Sequence, residues 1–322
     1  MRSAFGHSDH MSKRHIAMST GFTLHTEHGA GLDIVVPKET TTLSTIVVHL
    51  DHTERCEART LLAARLARQH DSHLLGIVPT GVPVDAAAAL ARAAEIAPLV
   101  AAASLHQRRR AEAVAHVFRC RLRDTGGSPS CEIRLVDGDP VDAVIAHGRA
   151  SDLIVVGQAD HRAAVDARAR QLPEEAMLHA GRPVLIVPRR GRFDGAMDRV
   201  LVAWDGGREA ALSVYGALPL MRKASRVTVV SLLEDGGAES AGTPCPGDLD
   251  GWLLRHGIRA DVECCAAARG GLGDALLARA SALEAGLIVM GGYGHARAQE
   301  RVLGGVTRDV LARTTTPVLM AH

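Results

Sequence analysis

A glycine-spaced segment near the carboxyl end of the chain has the composition of a phosphate-binding loop. It begins with Gly291 and Gly294, which are separated by two residues, and after nine further residues it continues with Gly304 and Gly305. Glycine lets a backbone approach a ligand closely, and the N–H groups at the start of a helix attract anions. An apolar period from Val306 predicts that a helix begins directly after these glycines. A phosphate chain could therefore lie along this loop.

The same glycines have a second interpretation, which the sequence alone leaves open. Gly291 and Gly294 could form only a tight turn, while Gly304 and Gly305 let the chain enter the helix. The spacing is neither that of a dinucleotide-binding loop nor that of a P-loop. No Ser-His-Asp order, no HExxH motif and no spaced pair of carboxylates is present, so the sequence does not indicate an efficient hydrolase and predicts no catalytic residues.

An internal repeat indicates which elements position this loop. The separation from Gly157 to Pro183 is 26 positions, and the separation from Gly291 to Pro317 is the same. Three segments of one copy match three of the other: 45–51 with 199–205, 152–157 with 286–291, and 182–188 with 316–322. The chain is therefore expected to contain one structural unit twice.

Each copy alternates short apolar runs with helical stretches, a pattern typical of parallel strands covered by helices on both faces. Strands of the second copy are predicted near 199–204, 227–233, 260–265, 286–290 and 317–321. The helix after the first of these strands is predicted to bury one face, formed by Ala211, Val214, Leu218 and Met221. The predicted fold class is α/β, with two tandem doubly wound parallel sheets.

These matches predict the division of the chain. Residues 1–41 are expected to be a disordered tail, and residues 191–197 a linker. Residues 42–190 and 198–322 are the two copies, hereafter the first half and the second half. The halves are expected to pack as a pseudo-dimer through their terminal strands, 183–188 and 317–321, and a further homodimer is possible.

The arrangement resembles the universal stress protein family. Nucleotide-binding members have Gly-x-x-Gly, nine residues, and then Gly followed by Ser or Thr, with an aspartate closing the first strand. The likeness extends over roughly residues 43–322, as in tandem-domain members, and is specific in the second half. It implies that Asp205 meets adenosine and that the backbone at Leu232 contacts the adenine. It places Gly291, Gly294 and Gly304 on the phosphate loop.

Both halves depart from the family pattern. In the second half, Gly305 stands where Ser or Thr is usual, so Thr307 would have to supply the hydroxyl group. In the first half, Asp160 and Arg170 replace two of the loop glycines. Pro173 is expected to open a helix there, with Glu174 and Glu175 in its first turn, where their charge would repel a phosphate. The first half is therefore expected to bind no nucleoside triphosphate, which leaves Asp51 a remnant.

The resemblance implies a stress-response binding or signalling module and not an enzyme, with ATP or a related adenine nucleotide, and Mg²⁺ with it, in the second half only. Two alternatives remain: a scaffold that binds a protein partner and no nucleotide, and a slow ATPase or nucleotidyl transferase. Which partner such a scaffold would bind is not indicated by the sequence.

Composition limits the other classes of function. The formal charge of +1 and the 2% of aromatic residues favour neither nucleic acid nor a membrane surface as a partner. The six cysteines show no CxxC pair and no metal-ligand spacing, so reduced thiols in the cytoplasm and no metal site are expected.

Overall fold

The computed structural model of the chain describes residues 42–83, 97–124, 130–159, 167–191, 193, 197–233, 247–266, 271–293 and 305–322. The strands in these ranges are β1 (Thr45–His49), β2 (His73–Pro79), β3 (Cys131–Val136), β4 (Leu153–Gly157), β5 (Val184–Val187), β6 (Arg199–Ala203), β7 (Arg226–Leu233), β8 (Ala260–Ala266), β9 (Leu287–Gly291) and β10 (Val318–Ala321). The helices are α1 (Cys56–His70), α2 (Ala97–Asp124), α3 (Pro140–Gly148), α4 (Ala167–His179), α5 (Arg208–Lys223), α6 (Gly247–Arg255), α7 (Leu272–Ala282) and α8 (Gly305–Arg313). The predicted tail and most of the predicted linker lie outside the described residues.

The strands form one ten-stranded sheet in the order β3-β2-β1-β4-β5-β10-β9-β6-β7-β8. Neighbouring strands within each half are parallel, and both halves have the same strand order when each is read outward from the middle of the sheet. The predicted strands of the second half are confirmed to within two residues at each end. The α/β class with two doubly wound units is confirmed as well.

The halves meet through their last strands. Strands β5 and β10 pair in antiparallel register, with Val318 opposite Ile186 and Met320 opposite Val184. This pairing confirms the predicted contact between the terminal strands. Because the junction is antiparallel, the carboxyl ends of the strands in the two halves lie at opposite edges of the sheet.

The hydrophobic core continues from one half into the other. Alternate residues of each terminal strand face opposite sides of the sheet, since side chains alternate along a strand. Leu185 and Leu319 belong to the cluster on one face, whereas Val184 and Met320 belong to the cluster on the other. All four side chains are fully buried. The halves therefore share a core rather than touching at a polar surface.

Helix α5 is amphipathic as predicted, except that one residue of the predicted buried face is exposed. Val214, Leu218 and Met221 are at most 2% exposed, as their spacing predicts. Ala211 is exposed instead, and its neighbour Ala210 is buried. The prediction for Ala211 is wrong because the start of the helix packs against the end of β9, which turns Ala210 toward the sheet.

Helix α4 differs from the prediction at its start. Pro173 lies inside this helix, so Glu174 and Glu175 are not in its first turn. The predicted repulsion of a phosphate by these carboxylates at the positive end of the helix is therefore wrong. Oε2 of Glu175 instead lies 3.2 Å from Nε2 of His179, one turn further along the helix. Burial and the nearby carboxylates of Glu174 and Glu175 raise the pKa of Tyr293, which extends from the second half.

Candidate functional site

The predicted site residues of the second half lie on neighbouring strands. Asp205 follows β6, Leu232 lies near the end of β7, and Gly291 is the last residue of β9. Strand β6 lies between β7 and β9, and parallel strands bring their carboxyl ends to the same edge of a sheet. The structure thus brings these three residues to one edge. Gly294 and Gly304 lie outside the described residues, so their part in a phosphate loop stays a prediction.

Asp205 forms the turn that leads from β6 into α5. Its Oδ1 accepts a hydrogen bond of 2.8 Å from the N–H of Gly207. Gly206 between them has a φ of 73°, the left-handed conformation that favours glycine. A carboxylate that accepts a bond from the residue two positions on is a common turn arrangement. The side chain is exposed, and a carboxylate is a type of group that accepts hydrogen bonds from the hydroxyl groups of a sugar.

The helix that follows Asp205 carries a small neutral residue on its buried face. Ser213 comes eight residues after Asp205, on α5, and is fully buried. Its Oγ accepts a hydrogen bond of 2.8 Å from the N–H of Ala321 in β10. Ser213 therefore ties the helix to the sheet and carries no charge.

Two loop glycines of the second half are required by packing. A Cβ atom at Gly291 would lie 2.7 Å from the backbone N of Ala210 and 3.0 Å from the carbonyl carbon of Glu209. A Cβ atom at Gly292 would overlap the sulfur of Met177, which extends from α4 of the first half. The turn and packing interpretation accounts for these two residues without a ligand.

The glycine at the start of α8 is not required by packing. A Cβ atom at Gly305 would meet nothing within 4 Å, so the space around this exposed residue is open. Thr307 is only 5% exposed, and its side chain is turned into the protein. The backbone at Gly305 is thus accessible to an anion, whereas the hydroxyl group of Thr307 does not lie on the open surface of the helix start.

The matching aspartate of the first half is held by a buried arginine. Arg59 lies on α1, eight residues after Asp51, and only 2% of its side chain is exposed. Its Nη2 is 2.9 Å from Oδ2 of Asp51, and its Nε donates a hydrogen bond of 2.7 Å to the carbonyl of His49. Arg59 therefore stands at the position that Ser213 has in the second half.

Burial and charge set the protonation of this cluster. Burial raises the pKa of Asp51, but the charges of Arg59 and His49 and the bonds from Thr53 outweigh it and hold the pKa well below its usual range. Burial lowers the pKa of His49 to about 4, although the carboxylate of Asp51 opposes this shift. At neutral pH the cluster is therefore an ion pair beside a neutral imidazole.

Arg59 also fills the space over the first loop glycine of its half. A Cβ atom at Gly157 would overlap Nη1 of Arg59. In the second half the corresponding space, over Gly291, is filled by the backbone of Ala210 and Glu209. Sequence reasoning missed this role of Arg59, yet a signal was present: an arginine among the apolar residues of α1, near an aspartate, indicates a buried ion pair.

A cavity of about 700 Å³ opens at the carboxyl edge of the first half, beside this ion pair. We call it the arginine cleft, after the arginines that line it: Arg55, Arg59, Arg110, Arg170, Arg189 and Arg190. A second cavity of about 450 Å³ lies next to it, between α4 and the end of α8. Neither was anticipated from the sequence, because the lining residues come from segments far apart along the chain.

The described residues contain neither a membrane-spanning helix nor a cluster of metal ligands. Over those ranges, no helix combines the length and the apolar character needed to cross a bilayer. Within the same part of the chain, no three His, Cys, Asp or Glu side chains lie close enough together to hold a metal ion.

Comparison with known proteins gives matches at two levels. A sequence model of the universal stress protein family matches residues 197–322. Among solved structures, a universal stress protein from Archaeoglobus fulgidus DSM 4304 is similar over 86% of this chain and 97% of its own, with 18% identity and a TM-score of 0.62. A protein of unknown function from Pseudomonas aeruginosa PAO1 is similar over 86% and 92%, with 16% identity and a TM-score of 0.53. No match is found among curated proteins. The structural matches, which span both halves, show a shared fold.

Proposed function

Residues 197–322 belong to the universal stress protein family, and from this premise we propose that the second half binds an adenine nucleotide, ATP with Mg²⁺, while the first half binds no nucleoside triphosphate. The protein then acts as a stress-response binding module in the cytoplasm, where occupancy of one half is the signal. We also propose that two copies of the chain form a homodimer, which would contain two such sheets.

The observation that carries the proposal is the difference between the two aspartates. Asp205 is exposed, and the residue eight positions after it is the neutral Ser213, whereas Asp51 is paired with the buried guanidinium of Arg59. A carboxylate recognises the hydroxyl groups of a ribose by accepting their hydrogen bonds. An exposed carboxylate such as Asp205 can exchange its contacts for those of a ligand, whereas Asp51 would have to give up an ion pair with a buried arginine.

Other residues of the second half fit the same ligand. The backbone at Leu232 lies at the same edge of the sheet as Asp205, so it is suited to contact an adenine. The open space at Gly305 leaves the start of α8 accessible, and N–H groups at a helix start attract phosphate oxygens. Gly291, Gly294 and Gly304 would let the backbone follow the phosphate chain. The side chain of Thr307, which is only 5% exposed, would have to turn outward before its hydroxyl group could contact a phosphate.

We propose binding rather than turnover. Phosphoryl transfer needs a group that positions the attacking nucleophile as well as donors that hold the phosphates. The residues assigned to this site supply acceptors and backbone donors only. Hydrolysis of ATP is therefore expected to be slow and incidental.

Equilibrium binding of labelled ATP to the full chain tests the proposal. Asp205→Ala should weaken binding about tenfold or more, the usual effect of losing hydrogen bonds to a charged group. The matched variant Asp51→Ala should retain wild-type affinity. Gly294→Asp, which copies the residue of the first half, should also weaken binding. Equal and negligible retention of ATP by the wild type and all variants would instead support the scaffold, and fast turnover abolished by Asp205→Ala would support an enzyme.

A further inference from the structure

The arginine cleft has the size and the position of a ligand site. Its volume of about 700 Å³ lies within the range typical of small-molecule sites. It opens at the carboxyl edge of the first half, between the ends of β1, β2 and β4. Ligands of open α/β sheets bind at this edge.

The charge of the cleft favours an anion. Among the described residues, six arginines line it, against the two carboxylates of Asp51 and Glu54. Asp51 is already paired with Arg59. Arg55 donates to the backbone carbonyls of Arg189 and Gly191, and within the described ranges it forms no ion pair with a carboxylate. The described part of the lining therefore keeps a positive excess that an anionic ligand would neutralise.

Two of these arginines are suited to bind an anionic ligand. Arg110 comes from α2 and Arg170 from α4, and in the part of the chain that is described neither forms an ion pair. Their neighbours on the same helices differ, because Arg168 pairs with Asp139 at 3.1 Å and Arg108 with Asp137. Guanidinium groups from two helices facing one cavity can hold a tetrahedral dianion from two sides.

The rest of the lining is apolar in part. Pro79, Val114 and Ala169 contribute partly exposed apolar surface to the wall, and the almost fully buried Val78 and Leu172 lie behind it. An apolar wall behind a charged mouth suits a ligand with a charged group at one end and an apolar body at the other. An inorganic ion would leave that wall unused.

We propose that the arginine cleft binds a small organic phosphate ester, whose phosphate group contacts Arg110 and Arg170 and whose apolar body lies against Pro79, Val114 and Ala169. A nucleoside triphosphate is excluded from this site because Arg59 fills the space over Gly157 and occupies Asp51. The cleft thus presents side-chain guanidinium groups to a phosphate, whereas a nucleotide site with a glycine loop would present backbone N–H groups. This ligand is independent of the nucleotide proposed for the second half.

Isothermal titration calorimetry of the full chain with phenyl phosphate, at constant ionic strength, tests the proposal. The wild type should bind one equivalent, with a dissociation constant of about 1 mM or lower. Arg110→Gln with Arg170→Gln should weaken binding about tenfold or more, because both charge-assisted contacts are lost. The control, Arg109→Gln with Arg168→Gln, makes the same change in net charge on the same helices outside the cleft, and should bind as the wild type does.

Three results would overturn the proposal. The first is no binding by the wild type, and the second is an equal loss in both double variants, which would mean attraction by net charge alone. The third is benzoate or inorganic phosphate binding as tightly as phenyl phosphate, which would mean that the cleft does not select an organic phosphate.

Two further variants separate this site from the proposed nucleotide site. Asp205→Ala should leave the binding of phenyl phosphate unchanged, and loss of binding there would place the ligand in the second half. If the double glutamine variant does not fold, Arg110→Gln alone serves as the test, since Arg110 is exposed on α2. This single variant should still weaken phenyl phosphate severalfold, whereas unchanged affinity would contradict the proposal.

Discussion

Nη2 of Arg59 lies 2.9 Å from Oδ2 of Asp51, and the matching position to Arg59 in the second half holds Ser213. The buried side chain at this position thus differs in charge between the two copies of the repeat. The ion pair borders the arginine cleft, and its arginine fills the space over Gly157.

Removing Arg59 should destabilise the protein. Arg59→Ser leaves a mostly buried carboxylate without its partner, and breaking such a pair costs about 3 kcal/mol. Chemical denaturation measures the free energy of unfolding, and the double variant with Asp51→Asn should recover part of the loss. The exposed pair of Arg108 and Asp137 is the control, with a coupling of about 1 kcal/mol or less. Equal coupling energies for the two pairs would contradict this account.

Stability should fall in acid in two stages. His49 has a folded pKa of about 4, below the unfolded value of about 6.5, so only the unfolded chain gains a proton between these values. The loss over that window is on the order of 3 kcal/mol. Below about pH 4, the loss should continue because the folded pKa of Asp51 is lowered and the unfolded chain again binds protons first.

The variant His49→Gln should reduce the first stage of this acid response. Unfolding free energies measured between about pH 4 and 7 should then fall less steeply toward acid than in the wild type, with a remaining slope from His70, whose pKa burial also lowers to about 4. His52→Gln, a change at an exposed neighbour, is the matched control and should keep the wild-type profile. If both variants keep that profile, His49 is not the responsible group.

Gly291 and Gly305 should respond differently to the same substitution. Gly291→Ala places a methyl group 2.7 Å from the backbone N of Ala210, which cannot move without shifting the helix, so a loss of about 1–3 kcal/mol is expected. Gly305→Ala enters open space and should change stability by about 0.5 kcal/mol or less. Thermal unfolding of the two variants compares them directly, and equal effects would refute the packing argument.

The second half alone should not remain a monomer. A chain of residues 197–322 would expose the edge of β10, which β5 covers in the full protein, together with the buried Leu319 and Met320. We expect it to self-associate through β10 in antiparallel register. Sedimentation velocity beside the full chain measures this, and a stable monomeric second half would show that the shared core is dispensable.

Sequence alone predicted the parts of the fold that local patterns encode. The repeat and its apolar runs give the strands of the second half to within two residues, because a strand buried on both faces leaves a continuous apolar segment. The order of those segments also brings Asp205, Leu232 and Gly291 to one edge, since parallel strands all end there. At Pro173 the local pattern misled, because a residue favoured at the start of a helix lies inside α4.

What the sequence determined by itself is the repeated α/β unit, the pairing of its terminal strands and the edge where a ligand would bind. Only the tertiary structure decided that Arg59 reaches both Asp51 and the space over Gly157, and that arginines from separate helices face one cleft. The reason is physical: strands follow from a periodicity of neighbouring residues, whereas Arg59 reaches Asp51 and Gly157 together only because α1 packs against both β1 and β4, and β4 is distant from α1 along the chain.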